Sequence, residues 1–88
     1  MGRRIQLIWS PQSKRDLKET FAYIAQDNEE VAKDQVASLA KHVAQLQDLP
    51  ELGKPARGVN LKNIRELVWG KYRIFYRLSE SEVHILAV

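Results

Sequence analysis

The chain has 88 residues, no cysteine and a formal charge of +3 from 14 basic and 11 acidic side chains. That length holds one domain, 1–88, with a single small core, so a partner that covers apolar surface is expected. The lack of cysteine excludes disulfides, thiolate metal sites and cysteine nucleophiles. The apolar runs are too short to span a membrane, and Met1-Gly2-Arg3-Arg4-Ile5 lacks the apolar stretch of a signal peptide, so a soluble cytoplasmic protein is expected.

In chain order, Ile5, Leu7 and Trp9 alternate with Arg4, Gln6 and Ile8, the pattern of a half-buried strand, which ends at Ser10-Pro11. Ser10 suits a helix N-cap, and Pro11 suits the first helical position, where its missing N–H is no loss. Leu17, Phe21, Ile24 and Ala25 follow at helical spacing and predict a first helix over 11–25. Asp27-Asn28-Glu29-Glu30 offers a cap and two carboxylates for the positive end of a second helix. Its stripe of Ala32, Val36, Leu39, Val43 and Leu46 runs to about Leu49, where Pro50 stops it. So short a connection makes the two helices an antiparallel hairpin. Residues 50–63 hold two prolines, two glycines and three basic residues, and read as a loop crossing to a sheet.

The stretch 64–78 reads as a tight β-hairpin around Gly70-Lys71, with Gly at the position where a type II′ turn needs φ > 0. A two-residue loop sets Trp69 opposite Tyr72, Leu67 opposite Ile74 and Arg65 opposite Tyr76 on one face. On the other, Val68 meets Arg73, Glu66 meets Phe75 and Ile64 meets Arg77. A polar turn at 79–82 leads to Val83-His84-Ile85-Leu86-Ala87-Val88, apolar enough for a central or doubly covered strand. The order is β-α-α-β-β-β, an α+β architecture in which an antiparallel helical hairpin packs on a small, mostly antiparallel sheet.

Charge is uneven along this order. Residues 54–77 carry +6 and residues 28–49 carry −2, a footprint either for an anionic partner or for a merely solvated basic face. Chemistry-bearing patterns are few. His42 and His84 have no ligand or nucleophile at a diagnostic spacing and read as structural or solvated. Asp16 and Glu19, among Lys14, Arg15 and Lys18, read as surface ion pairs, and Gly53, Lys54 and Gly58 lack the setting of a P-loop. No catalytic residue, metal or cofactor is expected.

Taken together, these fragments resemble the RelE/ParE toxin superfamily, and more closely its ParE branch, over nearly the whole chain. The resemblance is carried by Trp9-Ser10-Pro11, Asp16-Leu17, Tyr23-Ile24-Ala25, Leu49-Pro50 with Gly53, and above all Arg65-Glu66-Leu67-Val68 followed by Tyr72-Arg73-Ile74-Phe75-Tyr76-Arg77. It implies the fold reached above, and a plasmid-stabilisation toxin of a bacterial type II toxin-antitoxin module, held in a hetero-oligomer by a ParD-like antitoxin that wraps its surface.

Two activities live on such a fold. RelE-like members cut mRNA on the ribosome with basic groups on the open sheet face. Arg73 matches one such position, but Ile64 and Glu66 stand where RelE-like chains have lysines, and a carboxylate there repels phosphate. ParE-like members are non-enzymatic poisons that bind DNA gyrase and trap its cleaved DNA complex, and the resemblance favours this activity. The face made by Ile64, Glu66, Val68, Arg73, Phe75 and Arg77 is then the expected site for target or antitoxin, with arginines and an aromatic as anchors. The alternative for that face is a charge ladder of Glu66 with Arg73 and Arg77 that keeps an exposed sheet soluble. Arg65 falls on the core face and is expected to be structural. Tyr23, off the main stripe of helix 1, is the candidate anchor for an antitoxin helix in the groove beside the helical hairpin. ParE-like chains usually continue past the last strand with a short basic tail. None follows Val88 here, which leaves an inert relative as a third reading.

Overall fold

The computed structural model describes residues 5–58 and 63–88; the first four residues and Lys62, counted above, lie outside the described residues. The elements are β1 (Gln6–Trp9), α1 (Pro11–Ala25), α2 (Glu29–Ala44), a 3₁₀ turn (Gln45–Gln47), β2 (Lys54–Pro55), β3 (Ile64–Trp69), β4 (Tyr72–Leu78) and β5 (Glu82–Ala87). The five strands form one sheet in the order β1-β5-β4-β3-β2, antiparallel except for the β1–β5 pair.

Both helices start where their caps dictate. Ser10 Oγ accepts from the Ser13 N–H at 3.0 Å with Pro11 next in line, and its hydroxyl donates to the Leu86 carbonyl at 3.1 Å, which ties the cap to β5. Asn28 Oδ1 accepts from the Val31 N–H at 3.1 Å, and Glu29 and Glu30 occupy the first turn of α2. The second helix ends earlier than its apolar stripe predicts. At Ala44 the chain tightens into the 3₁₀ turn, where the Gln45 carbonyl takes the N–H groups of both Asp48 and Leu49. Tightening keeps Leu46 fully buried while turning the chain toward the sheet.

The core joins Leu39, Val43 and Leu46 of the α2 segment to Leu67, Ile74, Tyr76, Val83 and Ile85 of the sheet. Helix α1 packs on α2 and on β5, and its stripe of Leu17, Phe21, Ile24 and Ala25 is partly rather than fully buried. The β3–β4 register is the one read from the turn, and Gly70 has φ +59 while Lys71 stays at negative φ, as type II′ requires. β5 is interior to the sheet but covered on one face only: Val83 and Ile85 are buried, whereas Glu82 and His84 on the other face are partly exposed.

The segment read as a crossing loop contributes β2, which pairs Lys54 with Glu66 and Pro55 with Arg65. A polar clasp holds it there. Tyr76 Oη donates to the Pro50 carbonyl at 2.8 Å and accepts from the Gly53 N–H at 3.0 Å. Arg65 Nε donates to the Gly53 carbonyl at 3.1 Å, and its Nη2 donates to the carbonyls of Gly53 and Glu51. A Cβ on Gly53 would lie 2.5 Å from the Glu66 carbonyl oxygen and 2.8 Å from Tyr76 Oη, so only glycine fits so close an approach.

Candidate binding surfaces

The sheet face away from the helices carries the predicted residues of β3 and β4, and it is more closed than their alternation implies. Ile64 is buried at 8% exposure and Glu66 at 5%, because the 54–57 segment folds across the edge of β3 and Ala56 N–H bonds the Ile64 carbonyl at 3.0 Å. Val68, Arg73 and Arg77 remain exposed, and Phe75 is half-buried with the Arg73 guanidinium 4.9 Å over its ring.

Glu66 is the hub of this face. Its Oε2 accepts from Arg73 Nε and its Oε1 from Arg73 Nη2, both at 2.8 Å, a fork-to-fork pair; Oε1 also accepts from the Arg57 backbone N–H at 2.9 Å. The Arg57 guanidinium stands 3.7 Å away with its side chain 80% exposed. The hydrogen bonds from Arg73 and from the Arg57 backbone lower the Glu66 carboxyl from 4.5 to about 2. The same pairing raises Arg73. The charge-ladder reading therefore holds for Arg73, but the second cation is Arg57. Among the described residues no carboxylate pairs with Arg77, whose cross-strand neighbour is His84. His84 Nε2 in turn lies 3.0 Å from Glu82 Oε1, outside hydrogen-bond geometry. Alternation alone gave His84 no partner, because the partner depends on which strand lies beside β5.

A second surface lies at the other end of the hairpin. Trp69 and Tyr72 flank the turn with ring centroids 6.3 Å apart and planes 25° from parallel. Together with Ile24 of α1 and Val31 of α2 they wall a cavity of about 470 Å³, and a neighbouring one of about 420 Å³ shares Lys71 and Tyr72 and runs past Tyr23 to Val88. Tyr23 is 67% exposed and Val31 43%, so this groove exposes apolar surface from both helices and the hairpin. Sequence reasoning singled out Tyr23 here but missed Trp69 and Tyr72, which count as core residues by alternation and pack partly buried against the core while also lining this groove. Asp16 makes no ion pair among the described residues; it accepts from the Gln12 side chain at 2.8 Å and from the Val88 N–H at 3.0 Å. Among the described residues no helix is long and apolar enough to cross a membrane, and no three His, Asp or Glu side chains converge to hold a metal.

This architecture recurs in solved structures of toxin-antitoxin systems. The chain superposes on a structure of the chromosomal ParDE toxin-antitoxin system of P. aeruginosa with a TM-score of 0.78 at 21% identity, covering 96% of this chain and 92% of that one. On the toxin-antitoxin complex RelBE2 of Mycobacterium tuberculosis the values are 0.71 and 22%, covering 97% and 95%. For the YoeB dimer of Staphylococcus aureus they are 0.56 and 22%, covering 97% and 94%. In sequence, the chain is 37% identical over 87 residues to a protein of Sinorhizobium fredii (strain NBRC 101917 / NGR234) described as "Putative toxin Y4kP", covering 97% of this chain and 86% of the relative. Residues 7–88 match the model of the ParE toxin of the type II toxin-antitoxin system, parDE. The chain belongs to the ParE toxin family and is the toxin of a type II toxin-antitoxin system.

Proposed function

We propose that this toxin acts as a non-enzymatic poison of DNA gyrase in the cytoplasm, neutralised by a ParD-like antitoxin whose amphipathic helix fills the groove between Tyr23, Val31, Trp69 and Tyr72. The observation that carries this reading is the Glu66–Arg73 pair. Stabilising a developing phosphorane needs a cation free to meet it and a group that can give or take a proton. Arg73 is committed to Glu66 through two 2.8 Å bonds, and Glu66, with its carboxyl at about 2, has no proton to give near neutrality. What is left on the face, Val68, Phe75 and Arg77, suits protein recognition. The groove supports the antitoxin half of the reading, since apolar side chains from both helices and the hairpin meet there. The ParDE system to which the fold is similar supports the class of antitoxin.

A second reading, ribosome-dependent mRNA cleavage, has one observation in its favour: His84 faces Arg77 across β4 and β5, an imidazole beside a cation that no carboxylate pairs among the described residues. Pulse labelling after induction without antitoxin separates the two. Early loss of DNA synthesis, followed by inhibition of supercoiling by purified gyrase, is the expected result. Early loss of protein synthesis that His84→Ala abolishes would establish the second reading in its place.

A further inference from the structure

We infer that the outer edge of β3 above the end of β2 is a docking site for a short, extended, acidic segment of the antitoxin, separate from the groove at Trp69 and Tyr72. The inference starts from a mismatch of lengths. β3 has six residues, while β2 has two and pairs only with Arg65 and Glu66. In the two-residue hairpin, Trp69, Leu67 and Arg65 exchange backbone bonds with β4, so the peptide groups of Ile64, Glu66 and Val68 point the other way. Ile64 is used there by Ala56, and Glu66 lies opposite Lys54. Among the described residues Val68 has no such partner, because the chain before Lys54 has turned inward: Gly53 gives its N–H to Tyr76 Oη and Leu52 gives its N–H to the Leu49 carbonyl. The clasp that anchors β2 is thus also what stops it, leaving one donor and one acceptor of β3 facing outward.

The side chains around that position define the occupant. Leu52 and Val68, 41% and 56% exposed, line a cavity of about 330 Å³ together with Lys54, Pro55 and Arg57. The carboxylate in this cavity, Glu66, is forked by Arg73; the Arg57 guanidinium stands farther off at 3.7 Å with its side chain 80% exposed, and Lys54 is exposed. A segment lying in line with β2 would exchange two backbone bonds with Val68, set an apolar side chain on Leu52 and Val68, and bring carboxylates to Lys54 and Arg57. A basic or purely apolar strand meets the same backbone but leaves those cations unmatched. Pairing of this kind also protects the edge, which has neither proline nor lysine beside Val68 on its own strand.

The assignment of the segment to the antitoxin rests on the reading above, but the test reads the surface itself. The probe is the capped peptide Glu-Val-Glu-Ile-Asp-Val-Glu, titrated into the full chain labelled with ¹⁵N. Amide shifts centred on Val68, Leu52 and Lys54 are expected, with affinity falling about tenfold for Lys54→Glu combined with Arg57→Glu. Affinity should also fall several-fold as salt rises from about 0.05 M to about 0.3 M. The same peptide with lysine in place of each acid leaves the protein unaltered and is expected not to bind. Shifts centred on Trp69 and Tyr72 or on β1, equal binding of the basic peptide, or no shift at millimolar peptide would each overturn the inference. None of these outcomes bears on the order in which DNA and protein synthesis fail, so this proposal and the gyrase reading stand or fall separately.

Discussion

Replacing Tyr76 by phenylalanine deletes one oxygen and leaves the core filled, since the ring is fully buried and keeps its volume. That oxygen accepts from the Gly53 N–H and donates to the Pro50 carbonyl. Two hydrogen bonds contribute about 1 kcal/mol each, and a buried N–H left without a partner costs about 1–3 kcal/mol. Gly53 is buried, so its N–H has no easy route to water. The expected loss is about 2–4 kcal/mol, a large part of the stability of a domain this size. It lowers the melting temperature by roughly 10–20 °C. Urea denaturation at unchanged slope measures the total, and hydrogen exchange at the Gly53 amide reports the clasp directly. The peptide proposed for the Val68 edge should bind more weakly as well, because the 50–57 segment no longer holds its place. A loss under about 0.5 kcal/mol with the Gly53 amide still protected would refute the claim that the clasp holds this segment.

Acid should weaken the fold through Glu66. Its folded carboxyl lies at about 2 against 4.5 unpaired, so its stabilisation is complete above about 4.5 and fades as pH falls toward 2. Glu66→Gln should flatten that stretch of a stability-versus-pH profile read by denaturant midpoints. Trp69→Ala with Tyr72→Ala should weaken antitoxin binding about tenfold or more by calorimetry while leaving the far-UV circular dichroism unchanged. Gly70→Ala places a Cβ at φ +59 in open space, so it should cost about 1–2 kcal/mol from conformation alone, read in a thermal melt. Ser10→Ala should cost more than Asn28→Ala, about 2 against about 1 kcal/mol, because Ser10 caps α1 and also donates to Leu86; equal melting temperatures would sink that ranking.

What could be read from the sequence was local chemistry. Ser10-Pro11 sets the start of α1 to the residue, and Gly70-Lys71 sets every pair of the β3–β4 hairpin, because a cap and a two-residue turn act through neighbours in the chain. The end of α2 was less legible: the stripe continues through Leu46, and periodicity does not distinguish an α-helical from a 3₁₀ turn that buries the same leucine. β2 was invisible, since Lys54-Pro55 has no strand pattern and is held by Tyr76 and Arg65 from more than ten residues away. That tertiary contact also decides the candidate site. It brings the Arg57 backbone to Glu66, buries Ile64 beside Ala56 and leaves Val68 alone at the edge, so a face that alternation makes uniformly open is partly shut. The groove residues Trp69 and Tyr72 were legible as aromatic but not as lining, because nothing in their spacing says that Ile24 and Val31 meet them across a cavity.

The parallel pairing of β1 with β5 bears on how this protein comes into being. Both hairpins are built from near neighbours in the chain, but β1 pairs with β5, far away in sequence, and Ser10 bonds Leu86 across 76 positions. Val83 and Ile85, at the centre of the core, arrive with the same strand. A product that stops before Glu82 lacks the strand that joins β1 to β4, together with these core residues. The sheet therefore closes only once β5 has left the ribosome.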